Sequence, residues 1–579
     1  MRAPAAVVLA TRSGSATVEI DGLAIASRID PAREAATLVA KVDPTIEWIC
    51  LAGWGSGHVP RALLARCPRA HVLVLEPSPA VLAVVAAHPE LGRSLRDPRV
   101  TVSADPFALR FRFEEEYLPG ASVATLALPT YQRLFPADVR SYFALIDQSR
   151  VRSEANVLSR MMLGGRWLDH LLTNLRAVAS SPLLERLRGR FRGVPAICVA
   201  CGPSLDKNID VLRDAGDRSL ILAAGSALKP LRSRGVEPHL VAAIEWRDAV
   251  LEQFEDQRVD DLFLLLSAVS HPNLFRLGAR GTFTELPAAS PACEWLARVL
   301  EAGPEFAEGG SVAHTVFSAA LLLGCDPIVL VGQDLALGAA RVTHSSLSVH
   351  AHIRSSIDEE SSIDPVTGRA YELPGYHGGT VATVREFYCY HAWFEDRIQQ
   401  LAPAPRLINA TEGGARIRGT EQLALREVVG SFSPLAEDPR EALAAATELP
   451  DGRGLDAVRA ALIASRRAVL EAGRLGKEAI RLVGDLERAG PGGERTAVIG
   501  RKLDRIERQL VPIVETDPFV RSLTAPAMYR FQRAQVAGPP RDPSEAFSWS
   551  IELSRMLHRA VHGAANDLVP RLAQALDEL

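Results

Sequence analysis

The chain has 579 residues, 47% of them apolar and 23% charged, a composition typical of globular proteins with room for roughly three or four domains. Its formal net charge of −4 and its scattered basic residues give no reason to expect nucleic-acid binding. The seven cysteines are widely spaced and odd in number, which argues against a disulfide framework and for a reducing compartment. No run of about 18 apolar residues predicts a membrane span. The N-terminus lacks a signal-peptide pattern, so we expect a cytoplasmic protein with no membrane association.

Residues 1–150 have the pattern of a nucleotide-binding βαβ unit. A strand ends at Leu51, a glycine-rich turn leads into a helix, and a second strand at residues 72–75 ends in an acidic residue. An acid about 20 residues beyond such glycines binds ribose hydroxyls in dinucleotide enzymes. The alternative is a Rossmann-like domain whose glycines only form a tight turn, and we favour it because the remaining chain supplies no matching substrate apparatus. The candidate ligand residues of this unit are Gly53, Gly55, Gly57 and Glu76.

An apolar stripe predicts a helix over residues 151–179, and three short apolar runs follow at residues 196–200, 220–224 and 240–244. Such uniform runs are typical of a parallel sheet covered on both faces. The first run leads into Cys201-Gly202-Pro203-Ser204-Leu205, a turn that lets the backbone approach a ligand. Ser204 is expected to cap the next helix, whose free N–H groups would favour a phosphate. Gly225-Ser226 ends the second run and Glu245 ends the third, so we expect a ligand site at these carboxyl ends.

Further strands are expected at residues 262–269, 281–286 and 328–331. A helix running to Leu323 opens at Gly309-Gly310-Ser311, and the strand at 328–331 ends in Gly332-Gln333-Asp334. Residues 335–376 are rich in Ser, His and Asp with little periodicity, which is typical of a lid or binding loop.

The last part of the central region combines a histidine with two glycine turns. His377-Gly378-Gly379 precedes a helix at residues 384–399, and a strand near residue 407 ends in a turn that contains Glu412. Beyond a proline-containing linker, residues 433–579 carry three apolar stripes at helical spacing. They predict a helical bundle core rather than a cofactor site.

Several catalytic motifs are missing from the chain. No G-x-S-x-G, H-E-x-x-H or P-loop sequence is present, which argues against a serine hydrolase, a zinc hydrolase and a P-loop enzyme. What remains is a set of glycine turns at strand ends, whose backbone N–H groups are suited to holding a nucleotide phosphate.

Four segments between residues 195 and 419 form an ordered set: PAICVACGPSLDKNI, LILAAGSALKPL, GGSVAHTVFSAALLLGCDPIVLVGQDLAL and INATEGGARIRG. With them the chain resembles the motility accessory factor (Maf) family of flagellin glycosyltransferases. The central domain of that family resembles bacterial sialyltransferases and an archaeal hydroxymethylpterin pyrophosphokinase. The resemblance implies an α/β protein with a Rossmann-like domain at 1–150, a central Rossmann-like, sialyltransferase-type domain at 151–432 and a C-terminal α-helical bundle at 433–579.

The resemblance also implies a reaction. A nonulosonic acid of the pseudaminic or legionaminic type would pass from a CMP-activated donor to Ser or Thr of flagellin, so the expected partners are flagellin and the CMP-sugar. No cofactor is called for, and Mg²⁺ is the one candidate metal. The expected donor contacts are Gly202, Pro203, Ser204, Leu205, Gly225, Ser226, Glu245, Gly310, Ser311, Gln333 and Asp334.

A base with a pKa near neutrality is required for the acceptor hydroxyl, which favours histidine. His377 is the first candidate because it precedes a helix much as the base does in the resembled sialyltransferases. His344 is its rival, Asp334 is expected to position sugar or metal, and Glu412 is the alternative carboxylate base.

Two departures from the sialyltransferase pattern concern the donor. Cys201 stands where those enzymes have Asn, which removes one polar contact to the nucleotide. Leu335 and Ala336 stand where a tyrosine helps the phosphate leave, and Tyr371 or Tyr376 would have to replace it.

Two other functions are compatible with the sequence. The CGPSLDKN and GQDL segments also suit pyrophosphoryl transfer to a hydroxymethylpterin, although that reaction needs only the central domain. The Cys201 substitution and the missing tyrosine also suit a flagellin-binding module that keeps the fold without catalysis.

Overall fold

The structure is a computed structural model that describes residues 6–287, 290–303, 309–351, 362–363, 370–448 and 453–579. The chain divides into two compact units, residues 1–158 and residues 159–579. The predicted division at residues 150 and 432 stays a prediction. None of the described helices combines the length and the apolar character that a membrane crossing requires.

The first unit contains two sheets. Its strands are β1 (Ala6–Ala10), β2 (Ala16–Ile20), β3 (Leu23–Ala24), β4 (Trp48–Ala52), β5 (His71–Leu75), β6 (Val100–Ser103) and β7 (Val123–Ala127). Strands β1 to β3 pair antiparallel, and the other four form a parallel sheet in the order β6-β5-β4-β7. The βαβ pattern predicted from the glycine turn is therefore confirmed.

The short helices described in the first unit are α1 (Pro31–Val39), α2 (His58–Arg66), α3 (Pro79–Ala87), α4 (Pro106–Glu116) and α5 (Pro129–Leu134). Three of them, α1, α3 and α4, begin where a proline and a capping side chain coincide. Asp30, Ser78 and Asp105 accept hydrogen bonds from first-turn N–H groups, and each is followed by a proline at the first helical position.

The next helix, α6 (Pro136–Ala179), begins 15 residues before its predicted start at residue 151. The prediction missed this part because its apolar residues Val139, Tyr142 and Ile146 belong to the core of the first unit. They do not continue the stripe at Leu168, Leu171 and Leu175, which packs in the second unit.

The second unit is built on an eight-stranded parallel sheet. Its strands are β8 (Ala196–Val199), β9 (Leu220–Ala224), β10 (Leu240–Ala243), β11 (Phe263–Ser267), β12 (Gly281–Glu285), β13 (Ile328–Val331), β14 (Glu372–Pro374), β15 (Thr380–Ala382), β16 (Leu407–Asn409) and β17 (Glu421–Gln422). All except β14 and β15 belong to the sheet, in the order β12-β11-β10-β9-β8-β13-β16-β17.

Both faces of this sheet are buried. Ala196 and Cys198 of β8 belong to one hydrophobic cluster with helix residues such as Phe317, while Ile197 and Val199 belong to a second cluster on the other face. Alternate residues of a strand point to opposite faces, so uniformly apolar strands require cover on both sides. The predicted fold class, a mixed α/β protein with parallel sheets and a helical C-terminal region, is confirmed.

The strand order reverses direction between β8 and β13. From β8 the chain builds β9 to β12 on one side, and it then returns to place β13 and β16 on the other side. In open α/β sheets the loops that leave two such strands diverge and open a crevice at the carboxyl edge. The fold therefore positions the loops after β8 and β13 around a ligand crevice.

The helices of the second unit fall into two groups. Those around the sheet are α7 (Leu205–Asn208), α8 (Leu228–Ser233), α9 (Pro291–Val299), α10 (Val312–Leu323), α11 (Arg385–Gln399), α12 (Leu425–Gly430) and α13 (Pro439–Thr447). The C-terminal helices are α14 (Arg453–Ala489), α15 (Glu494–Thr516), α16 (Pro518–Ala537) and α17 (Pro543–Glu578). Val458, Leu462 and Val469 of α14 share a hydrophobic cluster with the end of α6 and with α9, as the predicted bundle core requires.

The segment after β13 contains structure that sequence periodicity did not predict. Strands β14 and β15 form an antiparallel hairpin, with Leu373 opposite Val381. His377 lies in the turn of this hairpin, and β15 separates it from the predicted helix, which is observed as α11 (Arg385–Gln399). The strands have three residues each, which is too short for a recognisable alternation. Residues 352–361 and 364–369 of the predicted loop lie outside the described residues.

Candidate functional site

The β8 loop (residues 200–204) and the β13 loop (residues 332–336) are joined through Ser204 and Asp334. The Ser204 hydroxyl donates to Asp334 Oδ2 over 2.7 Å, and the Ser204 N–H lies 3.2 Å from the same oxygen. The predicted capping role of Ser204 is wrong, because the residue has helical backbone angles and no side-chain cap bond. Its hydroxyl instead fixes one loop of the crevice to the other.

Gly202 allows the two loops to touch. Its N–H donates to the Gly332 carbonyl oxygen over 2.8 Å. A Cβ atom on Gly202 would overlap Asp334 Oδ2 and would lie 2.6 Å from that same carbonyl oxygen. The glycine is therefore required for close backbone approach between the loops.

The backbone N–H groups of the β8 loop are used inside the protein. Gly202 and Ser204 donate across to the β13 loop, and the Leu205 N–H donates to the Gly202 carbonyl oxygen over 3.1 Å. The Leu205 side chain is buried in the core, and Pro203 packs against Gly338. Because these N–H groups already have acceptors, the turn does not offer the free phosphate cradle expected from its sequence. Contact of these residues with a donor stays a prediction.

Asp334 is 8% exposed and lies between three loops. Burial raises the pKa of Asp334 to about 6, against the opposing effects of the Ser204 bonds and the charge of Lys207. Both carboxylate oxygens lie within 3.3 Å of the Ser204 N–H. The carboxylate therefore holds the loops together, and its predicted contact with sugar or metal stays a prediction.

The β16 loop (residues 410–414) completes the crevice. Thr411 Oγ1 accepts the N–H of the buried Gln333 over 3.2 Å, and Ala415 donates to the Asp334 carbonyl oxygen over 2.7 Å. A Cβ atom on Gly413 would lie 3.2 Å from Ser204 Cβ. Loops from β8, β13 and β16, three adjacent strands, therefore converge at one point.

Lys207 adds an exposed positive charge to this point, and sequence analysis did not single it out. Its Nζ lies 3.8 Å from the Cβ position of Gly413, and its charge lowers the pKa of Asp334. The available signal was its place three residues after Ser204, one helical turn along the same face. An ammonium group here is suited to neutralise a phosphate.

Residues 343–351 cover the β8 loop from the β9 side. The Ser345 N–H donates to the Cys201 carbonyl oxygen over 2.9 Å, and the Ser345 hydroxyl bonds to Asp206. Burial raises the pKa of the Cys201 thiol to about 11, while hydrogen bonds with Ser348 and Ser226 lower it. Cys201 is 4% exposed, so the thiol that replaces the expected Asn is engaged by the protein.

His344 lies within this covering segment. Its Nδ1 is 2.9 Å from Thr343 Oγ1, and its ring centroid is 5.4 Å from that of His350. Burial and the neighbouring His350 lower the pKa of His344 to about 4, so it is neutral at physiological pH. His350 in turn lies 3.1 Å from Gln253 Nε2, and the Gln253 amide packs against the buried Gly225.

His377 lies on the other side of the crevice, beside the β16 loop. It is exposed, and its Nε2 is 3.4 Å from the Glu412 carbonyl oxygen. The Glu412 carboxylate accepts the Leu425 N–H at the start of α12 over 2.9 Å. The Tyr376 hydroxyl donates to the Asn409 carbonyl oxygen over 3.2 Å, and Tyr371 is buried. The two candidate histidines thus flank the crevice from opposite sides.

Of the remaining predicted contacts, Gly310 lies beside Tyr390 of α11, a residue that no sequence pattern singled out. The Cβ position of Gly310 lies 3.9 Å from Tyr390 Cε1, and Ser311 caps α10 by accepting the Ala313 N–H. Burial raises the pKa of Tyr390 to about 12, and the nearby charges of Glu386 and Glu245 act in the same direction. Gly310 is therefore next to this aromatic ring, and contact of Gly310, Ser311 and Glu245 with a donor stays a prediction.

The candidate site of the first unit is closed by its own side chains. Glu76 is 0% exposed and accepts the N–H groups of Trp54 and Ser78 and the hydroxyl of Tyr131. A Cβ atom on Gly53 would lie 2.6 Å from the Tyr131 ring. A Cβ atom on Gly55 would meet the Leu128 side chain, and one on Gly57 would meet the Leu91 carbonyl oxygen. This packing favours the interpretation that the glycines form a tight turn.

No group of three or more His, Cys, Asp and Glu side chains in the described ranges is arranged to hold a metal ion. The arrangement at the crevice instead combines a braced aspartate, an exposed lysine and two flanking histidines. These groups are suited to binding a phosphate and accepting a proton.

Replacement of Gly202 tests the contact between the loops. Gly202→Ala should lower the free energy of unfolding by about 1–3 kcal/mol, because the new methyl group pushes Asp334 away from Ser204. Urea unfolding measures the effect. Gly216→Ala is the matched control, since its Cβ would meet nothing within 4 Å and its backbone is right-handed. Equal losses in the two variants would contradict the proposed contact.

The burial of Glu76 predicts a pH effect on stability. Burial raises the pKa of Glu76 from 4.5 to about 7, so its stabilising contribution is complete below pH 4.5 and is lost as the pH rises through about 7. The change is on the order of 3 kcal/mol. We expect the melting temperature of the wild type to fall relative to Glu76→Gln across this interval. Glu115→Gln, at an exposed site, should track the wild type at every pH.

Three comparisons with known proteins bear on this geometry. Residues 169–339 match the model of the family described as MptE-like, 6-hydroxymethylpterin diphosphokinase MptE-like. No curated protein matches the chain. The Maf glycosyltransferase from Magnetospirillum magneticum AMB-1 is a solved structure with the same fold, with a TM-score of 0.53 and 15% sequence identity over 100% of this chain and 93% of that one. The predicted resemblance is thereby confirmed: this chain has the fold of a Maf glycosyltransferase and carries an MptE-like domain at residues 169–339.

Proposed function

We propose that the chain is a cytoplasmic glycosyltransferase that moves a nonulosonic acid, of the pseudaminic or legionaminic type, from a CMP-activated donor to Ser or Thr of flagellin. One observation carries the proposal. The loops of β8, β13 and β16 converge at the topological switch point of a chain that has the Maf fold over its full length. Sugar nucleotides are ligands of the size and charge that such a crevice takes.

In this proposal the donor phosphate lies at the crevice beside Lys207. The departing CMP is a phosphate anion, so its release needs charge neutralisation more than a proton. Lys207 is exposed next to the braced loops, and it supplies that charge in place of the tyrosine that resembled enzymes use. Asp334, held by Ser204, keeps the three loops in position for the reaction.

His377 is the proposed base for the acceptor hydroxyl. A protein acceptor has to reach the base from solvent, and His377 is exposed at the turn of the β14–β15 hairpin. It also lies next to the β16 loop, whose Gly413 contacts the Ser204–Asp334 pair. His344 is neutral and therefore able to accept a proton, but it is partly covered by the segment that carries it.

Separate replacement of the two histidines tests this assignment. His377→Ala should lower the rate of CMP release in the presence of flagellin by about 100-fold or more, because general-base help is worth about 100- to 10,000-fold. His344→Ala should retain most of the activity. The reverse result would move the role to His344, and the acidic limb of its pH–rate profile would then lie near pH 4. Activity in both variants would leave a carboxylate such as Glu412 as the base.

A second candidate function is pyrophosphoryl transfer to a hydroxymethylpterin, which the match of residues 169–339 favours. Both reactions would hold a phosphate chain at the same strand ends. The pterin reaction leaves the N-terminal unit and the C-terminal helices without a role. A flagellin-binding module without catalysis would leave flagellin mass unchanged when protein, donor and flagellin are mixed.

Ligand-dependent melting separates the two reactions. CMP at about 100 times its dissociation constant should stabilise a glycosyltransferase by about 2.7 kcal/mol, and ATP with magnesium should give no comparable shift. The opposite pattern would favour the pterin reaction. Lys207→Ala should weaken the shift with CMP and leave the melting temperature without ligand unchanged, since Lys207 is exposed.

A further inference from the structure

Strand β1 is the outer strand of the three-stranded sheet in the first unit. It pairs with β2 on one side, and no other strand in the described ranges pairs with its second side. Natural sheets protect such an edge with a charge, a proline, a bulge or a very short strand, because an open edge accepts a further strand. The opposite edge is protected in this way, since β3 has two residues. The β1 sequence, AVVLA, has five apolar residues and a continuous register with β2.

The ladder between β1 and β2 determines which backbone groups face the open edge. In an antiparallel pair, residues bonded to the partner strand alternate with residues whose N–H and C=O groups point away from it. The Thr11 N–H donates to the Ser15 carbonyl oxygen over 2.9 Å, so Val7 and Leu9 are also bonded to β2. The outward-facing residues are Ala6, Val8 and Ala10. Within the part of the chain that the structure describes, their outward groups have no backbone partner.

Both faces of β1 present apolar side chains to an added strand. Ala6 and Val8 pack against the core of the first unit. Val7 is 48% exposed, and it shares the other face with Leu9 because alternate residues point to opposite sides. The acidic side chain across from Val7 on β2, Glu19, already pairs with Arg28. An added strand would therefore meet hydrogen-bonding groups and apolar side chains rather than an unpaired charge.

We propose that β1 pairs antiparallel with β1 of a second copy of this chain, about a two-fold axis at Val8. The edge is complementary to itself in this register. Val8 meets Val8 of the second copy and Ala6 meets Ala10, so each outward residue donates one hydrogen bond and accepts one. Val7 lies opposite Leu9 of the second copy, with about 4.5 Å between their Cα atoms. The inference concerns the first unit and goes beyond the proposed function.

This arrangement is closed and weak. Two-fold pairing uses the same edge of both copies, and the opposite edge ends at the two-residue β3, so association stops at a dimer. A contact of five residues a side lies well below the interface area of about 1,200 Å² at which stable complexes begin. We therefore expect a dissociation constant on the order of 10 µM rather than a permanent dimer.

Sedimentation equilibrium of the full chain tests the pairing. Between about 1 and 200 µM the average mass of the wild type should rise from 62.5 kDa toward twice that value. Val8→Pro removes the outward N–H and leaves the bonds to β2, so the dissociation constant should rise about 100-fold. Val8→Ala is the matched control, because it loses side-chain packing but keeps the N–H. Its dissociation constant should stay within about fivefold of the wild-type value.

A charge at the edge tests the same contact without a change in the backbone. Val7→Lys introduces one of the residues that protect natural edges and should weaken the dimer about 10-fold or more. Val536→Lys makes the same substitution on α16 at a residue of similar exposure, 45%, and should associate like the wild type. If Val8→Pro fails to fold, the contrast between these two lysine variants decides the question.

Cysteine pairing tests the register. Val7→Cys and Leu9→Cys are prepared in separate chains and then mixed under a mild oxidant. Residues directly opposite each other are close enough for a disulfide, whereas diagonal neighbours are not. The mixture should therefore cross-link at least about 10-fold more than either variant alone. The wild type controls for the native cysteines, of which six are buried and Cys389 is half-buried.

Three results would overturn the proposal. The first is a wild type that stays at 62.5 kDa at every concentration, which would leave the edge to a strand of another protein. The second is a dimer that survives both Val8→Pro and Val7→Lys, because the contact would then lie elsewhere. The third is cross-linking of Val7→Cys alone that equals cross-linking in the mixture, because the two-fold axis would then not lie at Val8.

Discussion

The hydrogen bond between Ser204 and Asp334 is the interaction on which the candidate site depends. It joins the β8 loop to the β13 loop. These loops leave adjacent strands on the two sides of the topological switch point, where the loops of an open α/β sheet diverge. The β16 loop then packs on both residues through Gly413 and Ala415. A buried carboxyl group costs free energy unless donors surround it, and this one has the hydroxyl and N–H of a single serine. One residue pair thus sets the geometry of three loops, and Gly202 is required because no larger residue lets them meet.

The two units show how one sequence pattern has two outcomes. Each has a glycine turn after its first parallel strand and an acidic residue at the end of a neighbouring strand. In the first unit, Tyr131 donates to Glu76 and its ring packs on Gly53, so protein atoms fill the space above the turn. In the second unit, the acid bonds to a serine of the turn itself, and an exposed lysine lies beside it. The difference comes from Tyr131, which lies 55 positions beyond Glu76, and from Lys207, which lies three positions beyond Ser204. A local pattern can connect Lys207 to its turn, but none connects Tyr131 to Glu76.

Most of the parallel sheet of the second unit could be predicted, because strands buried on both faces read as short apolar runs and the observed bounds differ by a few residues. The coarse α/β class and the helical C-terminal region follow from periodicity in the same way. The details of the site could not be predicted. The Ser204 hydroxyl could accept a hydrogen bond from an N–H group at the helix start or donate one to Asp334, and only tertiary packing decides between these two partners. The hairpin that carries His377 has strands of three residues, too short for an alternating pattern. Tyr390 lacks a motif because its neighbour Gly310 comes from a distant segment.

The charges along the carboxyl edge of the sheet differ from the charge of the whole chain. The net charge of the chain is −4, yet the acidic side chains at this edge are engaged by protein donors: Asp334 by Ser204, Asp206 by the Ser345 and Ser346 groups, Glu245 and Glu412 by backbone N–H groups. The basic side chains are exposed: Lys207 beside the β8 loop, and Arg166 and Arg247, which lie over the Trp246 ring just beyond β10. A carboxylate that accepts several hydrogen bonds has spread its charge into the protein, whereas an exposed ammonium or guanidinium still has N–H groups to offer. The edge therefore favours an anionic ligand through local bonding rather than through net charge, and this is why composition alone gave no sign of it.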